Sequence, residues 1–285
     1  MGVLSREVVR MSLRINTNVT SLAVQNAMRT NGRDTDRSMK NLATGSRISD
    51  PSADVAGAAI SNQMTAEVKG MEAAKRNAES AVSFASVAEG AMNEQTNILT
   101  RMRELAVQAA SDNYSNTERS LMNSEYGELK SELDRIAQTT RWGNQKILDG
   151  SIQEFDFQVG TTSGKESRIT YKSNSNTTGS ELGVDSLTVE SKSDARDSLD
   201  TLDKAMSTIS NSRAKFGALQ SRLDSAQNNL GTQIENISAA RSQIADADLA
   251  KEVTDVRRGQ IIQQYQTSML QEANNQTGLA LKLIG

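Results

Sequence analysis

With no His and no Cys in 285 residues, Asp and Glu, 35 in all, carry what acid–base or metal chemistry this sequence can offer. Two carboxylates facing each other could split a glycosidic bond, and a group of them could hold a hard cation. Here they are scattered at helix-surface spacing among 32 Lys and Arg residues, the pattern of solvated helix faces. The two zeros exclude more than the carboxylates suggest. A zinc site built on His or Cys, a thiol nucleophile, a disulfide and a Ser-His-Asp triad are all impossible. No catalytic, cofactor-binding or metal residue is therefore assigned.

The composition also limits partners. Net charge is −3 and the sequence pI about 5.3, without the clustered basic charge that nucleic acid requires. No run approaches the roughly twenty apolar residues of a membrane span, and Met1 to Arg10 has no secretory signal. Hydrophobic residues make up 36%, aromatics only 3%, and mean hydropathy is −0.53. Nine aromatics spread over this length predict thin helical layers rather than a thick core.

Periodicity supplies the elements. From Ile60, steps of four and three reach Met64, Glu67, Met71, Ala74, Ala78, Ala81, Ala85, Ala88, Met92, Gln95, Leu99, Met102, Ala106 and Ala109, apolar except at Glu67 and Gln95. A seven-residue repeat sustained this long predicts a bundle or coiled-coil helix, a rod of roughly 75 Å at about 1.5 Å per residue. After the polar break at 111–117, with Asn116 or Thr117 as cap, Met122, Tyr126, Leu129, Leu133 and Ile136 predict a shorter helix folding back. A third seam runs Leu219, Leu223, Ala226, Leu230, Gln233, Ile237, Ala240, Ile244 and Ala247, with helix-forming residues upstream to about Asp194. Between them, alternation at 155–159, 169–172 and 187–189 predicts three short strands leaning on the helices.

The chain ends carry incomplete apolar stripes. One holds Ile15, Val19, Leu22, Ala23, Met39 and Leu42, interrupted by the polar run 29–38; the other runs from Leu249 through Val253, Val256, Ile261, Ile262, Tyr265, Met269 and Leu270 to 279–284. Neither buries much on its own chain, so both are candidate assembly surfaces. Gly45 suits a helix C′ position, with Asp50 as cap and Pro51, the single proline, as first residue of the next helix. The fold class is thus mainly α: an elongated antiparallel bundle of long helices with coiled-coil terminal helices and a small β-hairpin region.

These residues resemble the bacterial flagellins. The resemblance rests on Arg14-Ile-Asn-Thr-Asn18, Arg47-Ile48, Asp54-Val-Ala-Gly57, Asn77-Ala78, Glu89-Gly-Ala91, Arg103-Glu-Leu-Ala-Val-Gln108 and Ala239-Ala-Arg-Ser-Gln-Ile-Ala-Asp-Ala-Asp248. It covers nearly the whole chain apart from the first ten residues and the β segment. It implies a structural subunit exported unfolded through the flagellar type III channel, polymerising into an extracellular filament that gives swimming motility. On that reading residues 1–10 are an N-terminal extension, 11–44 an inner-core helix, 45–59 a linker, 60–142 and 194–248 the outer helical rod, 143–193 the β region and 249–285 the second inner-core helix.

The resemblance further implies that polymerisation uses Val19, Leu22, Met39, Leu42, Val253, Val256, Ile262, Leu270 and Leu281. Implied partners are copies of the same chain, other flagellins, an export chaperone, and cap and hook-associated proteins. Arg101, Leu105 and Glu125 match the stretch that the animal Toll-like receptor for flagellin recognises and that also packs subunits together. Where the family has an aromatic-Asn-Gly turn, this sequence has Trp142-Gly143-Asn144, which leaves that turn's geometry open. A hook–filament junction protein shares helical termini of this kind and stays as the alternative.

Overall fold

The computed structural model describes residues 17–284 apart from 152–153 and 173–175, with side chains described up to residue 275. Its elements run α1 (Val19–Thr44), α2 (Val55–Ala109), α3 (Asn116–Thr139), β1 (Arg141–Trp142), β2 (Gln145–Lys146), β3 (Glu154–Gln158), β4 (Arg168–Lys172), α4 (Lys192–Ala245) and α5 (Leu249–Ile284). Contacts divide the chain into two units. Thr65–Ser238 is one; the chain up to Met64 together with Ala239 onward is the other.

In the central unit, α2 is antiparallel to both α3 and α4. Gln95 of α2 reaches Leu133 of α3, whereas Arg101 reaches Glu125. Arg103 pairs with Asp203 of α4 at 2.7 Å, and Gln220 reaches back to Ser86. Every seam position of α2 from Met71 to Ala109 is buried, including Gln95, while Ile60 and Glu67 at its start are exposed. On α4 the repeat begins earlier than the sequence reading had it: Ala195, Ser198, Leu202, Ala205, Ile209, Ser212, Phe216, Leu219 and Leu223 are all buried. Small residues at these positions let the helices approach closely, and Tyr126, Leu133 and Ala137 of α3 close the layer.

The aromatics are not spread through this unit but gathered. All four Phe residues, the single Trp and Tyr171 meet where the strands lie on the helices. Phe84 of α2 packs against Phe155 at 4.7 Å and Phe157 at 5.4 Å between ring centroids, and Phe216 of α4 packs against Tyr171 at 4.6 Å. Strands β3 and β4 pair antiparallel, with Phe155 opposite Tyr171 and Phe157 opposite Ile169. A two-stranded hairpin of this size needs such support.

Three local expectations are corrected. Residues 187–189 are not a strand; that segment docks on α3, where the Lys130 ammonium donates to the Asp185 and Leu187 carbonyls and the Asn123 side chain accepts from Val189 N–H. The cap of α3 is Ser115, one residue before Asn116 and two before Thr117, in a reciprocal capping box with Glu118. Helix α2 starts at Val55 rather than Pro51, because Asp54 accepts from Gly57 N–H while Asp50 binds Ser52 N–H and turns the chain. The open turn at Trp142-Gly143-Asn144 closes the β1–β2 hairpin, Arg141 opposite Lys146.

Buried Arg119 ends α2: its guanidinium donates to the Ala109 and Ser111 carbonyls, 2.9 and 2.8 Å away, where the helix dipole favours a cation. Ala85 is fully buried, so Ala85→Leu is expected to destabilise the central unit by about 1–3 kcal/mol through overpacking, read from denaturant melting. The Ser115 N–H and hydroxyl hold the Glu118 carboxyl below its ordinary range. A group depressed in the folded state stabilises above its unfolded pKa, and the effect is lost as pH falls through the folded value. Hydrogen-exchange protection at the start of α3, taken relative to the intrinsic rate at each pH, should therefore fall on acidification below the usual glutamate range, and Glu118→Gln should flatten that dependence.

Candidate assembly surface

The second unit is built on α1 and α5, which pack antiparallel. Helix α1 starts with Asn18, whose side-chain oxygen accepts from Ser21 N–H, and stops at Gly45 in the left-handed conformation with φ 68°. At the base of the pair the two connections are joined. Ser46 bridges Asp246, Arg47 N–H donates to Ala245 O and Ala247 N–H to Gly45 O. The Arg47 guanidinium also donates to Ile244 O at 2.7 and 3.0 Å, so an arginine ends α4 as another ends α2.

The facing residues of this pair are polar or small. Buried on α1 are Ser21, Thr35 and Asn41; buried on α5 are Gly259 and Ala273. Asparagines join the helices at three levels. The Asn18 amide donates to Ala273 O at 2.7 Å, Asn31 to Gly259 O at 2.9 Å and Asn41 to the Glu252 carboxylate at 3.0 Å. Between them the backbones come so close that a Cβ on Gly259 would lie 2.2 Å from Thr35 Oγ1. The polar run 29–38 is therefore not an interruption of α1: it is helical throughout, and Asn31 and Thr35 supply its contact. The reason is that side-chain amides and a hydroxyl match backbone carbonyls and a glycine, where larger apolar groups would hold the helices apart.

The apolar residues consequently point elsewhere. Val19, Leu22 and Met39 on α1 and Val253 and Ile262 on α5 are exposed, Val19 by 63%. Ile261, Tyr265 and Met269 add to the α5 face, Tyr265 being 70% exposed. Leu42, Val256 and Leu270 are half-buried, one turn or less from the buried contact positions Asn41, Gly259 and Ala273. Ile15 lies outside the described residues, and Leu281 lies in α5 beyond the last described side chain. Exposed apolar residues in this number on paired helices make them the candidate assembly surface.

The third expected cluster splits. Arg101 binds Glu125 at 2.8 Å and Glu104 at 3.0 Å, all three half-exposed, and these hydrogen bonds, Glu125 first, hold the guanidinium above its ordinary pKa. Leu105 is 2% exposed and belongs to the core beneath the ion pair. Among the described residues no three Asp or Glu side chains converge as metal ligands, and no helix is long and apolar enough to cross a membrane.

Comparison with known proteins gives consistent results at both ends of the chain. The family descriptions "Bacterial flagellin N-terminal helical region" and "Bacterial flagellin C-terminal helical region" match residues 15–153 and 199–284. The chain is 34% identical to a flagellin of Halalkalibacterium halodurans over 272 residues, covering 95% of this chain and 99% of that one. It is 30% identical to polar flagellin F of Vibrio parahaemolyticus, covering 96% and 100%. A solved structure assigned as a flagellar hook-associated protein from Vibrio parahaemolyticus shares the fold, with TM-score 0.59 and 13% identity over 68% of this chain and 100% of that one.

The Thr35–Gly259 approach gives a local test. Gly259→Val is expected to separate α1 from α5, shown by rapid proteolysis within 19–44 and 249–275, while the melting of the central unit is unchanged.

Proposed function

The chain belongs to the bacterial flagellin family, and from that premise we propose that the exposed apolar faces of α1 and α5 are the surfaces by which each subunit joins its neighbours. The protein is a structural subunit of the extracellular flagellar filament, self-polymerising and serving motility. Both matched helical regions and the curated relatives carry the flagellin description, which favours the filament over the hook–filament junction.

One observation carries the proposal. The pairing of α1 with α5 consumes amides, a hydroxyl and a glycine, so Val19, Leu22, Met39, Val253 and Ile262 are left for a second surface. Leu42, Val256, Leu270 and Leu281 continue this assignment along the same helices. Burying several hundred Å² of such surface would contribute on the order of 10 kcal/mol per subunit before ordering costs. Neighbouring copies thus cover the apolar faces that the terminal pair leaves open.

The remaining parts of the reading follow from membership and from the residues. The subunit is exported unfolded through the flagellar channel, delivered by a chaperone, seated on hook-associated proteins and placed under the cap; other flagellins join the same filament. A chain without cysteine threads such a channel without cross-linking. The protein acts as no enzyme. The exposed Arg101–Glu125 pair is the surface that the Toll-like receptor for flagellin reads in free subunits, and Leu105 supports it from below. Arg101→Asp should lower activation of receptor-bearing reporter cells; unchanged activation would remove this role.

The assembly proposal is tested by replacing Leu22 and Ile262 with Asp together. Both side chains are exposed, so the folded subunit should melt as the parent does. Sedimentation after seeding should then find the variant in the supernatant and the parent in the pellet. Pelleting of the variant at the parent's rate would place the subunit contact elsewhere.

A further inference from the structure

The sequence contains a single Asn-Gly pair, Asn31-Gly32, and the structure sets it at the middle of the α1–α5 contact. Asparagine followed by glycine is the arrangement most open to deamidation, since glycine has no Cβ to shield its nitrogen. The Gly32 backbone nitrogen attacks Cγ of Asn31, the Cγ–Nδ2 bond breaks, and ammonia leaves with the proton from Gly32 N–H. Water then opens the cyclic imide at either carbonyl, giving Asp or isoAsp.

Two features hold this reaction back in the paired state. Gly32 lies inside α1, where its N–H is bound in the helical ladder to the carbonyl four residues earlier and the backbone angles keep the nitrogen from Cγ. The leaving group itself is engaged, because Nδ2 of Asn31 donates to Gly259 O at 2.9 Å. Both restraints vanish together when α1 unwinds from α5. The product cannot restore them. An ionised Asp is an acceptor only and would face the Gly259 carbonyl without a proton to share, and isoAsp adds a backbone atom that breaks the helical register.

We propose that Asn31 is a deamidation site gated by α1–α5 pairing, so that subunits kept unpaired are converted irreversibly into a form that pairs poorly. The inference concerns the single chain and does not rest on the assembly proposal.

The test follows the one-dalton mass gain of the peptide containing Asn31 during incubation at mildly alkaline pH. The full chain is held in buffer, the same chain in concentrated guanidinium chloride, and Gly259→Val in buffer. The native chain should convert at least roughly tenfold more slowly than the denatured one, as local opening equilibria dictate. Gly259→Val should approach the denatured rate with the central unit still folded. Equal rates for the native and denatured chain, or no conversion in denaturant, would overturn the proposal whether or not the variant folds. Asn31→Asp should leave α1 and α5 open to protease; protection equal to the parent's would overturn the claim about the product.

Discussion

The structure turns on the close approach of α1 and α5 at Thr35 and Gly259. Helices normally pair by burying apolar stripes, which uses those stripes up. Here the contact is made by Asn18, Asn31 and Asn41 against two backbone carbonyls and a carboxylate, with a glycine at the narrowest point. Polar residues at such positions fix register at some cost in strength. The pair is thus specific and antiparallel, yet Val19, Leu22, Met39, Ile262, Tyr265 and Met269 stay in contact with solvent. The assembly proposed above uses both properties: the terminal helices find each other and still offer an apolar surface to the next copy.

The central unit obeys the opposite rule. Its seam positions are mostly Ala, Met, Leu, Ile and Phe, with Ser198 and Ser212 on α4; they are buried within the chain, and Gln95 among them is hydrogen-bonded to the Leu133 and Thr177 carbonyls. Alanine in one helix against larger residues in the other keeps the layer thin. The scarce aromatics are concentrated where the strands need an anchor, around Phe84 and Phe216. The core of this unit is closed by its own helices and strands, whereas on the assembly proposed above the exposed apolar residues of the terminal pair are covered by the next copy.

The difference explains what the sequence revealed. The α2 repeat was legible because apolar spacing alone defines a seam buried inside one chain. The upstream α4 repeat is hidden in the sequence because Ser198 and Ser212 occupy seam positions, and small hydroxyl residues register as polar although they pack as small ones. The aromatic cluster joins positions 84, 142, 155, 157, 171 and 216, whose meeting depends on topology rather than spacing. At 187–189 three alternating residues are too few to separate a strand from a docked loop. On α1, the apolar stripe was visible and its contact face was not, because hydrogen bonds to carbonyls leave no trace in a hydropathy pattern. Arg101 and Glu125 are exposed, whereas Leu105, beside the seam positions Met102 and Ala106, is buried with them.

Oxidative footprinting of free subunits and of filaments measures the central claim most directly. In free subunits Met39, Tyr265 and Met269 should label readily, while buried Met71, Met92 and Met102 stay protected. In filaments the first three should become protected as well. If Met39, Tyr265 and Met269 label equally in both states, their face is not the surface that assembly buries.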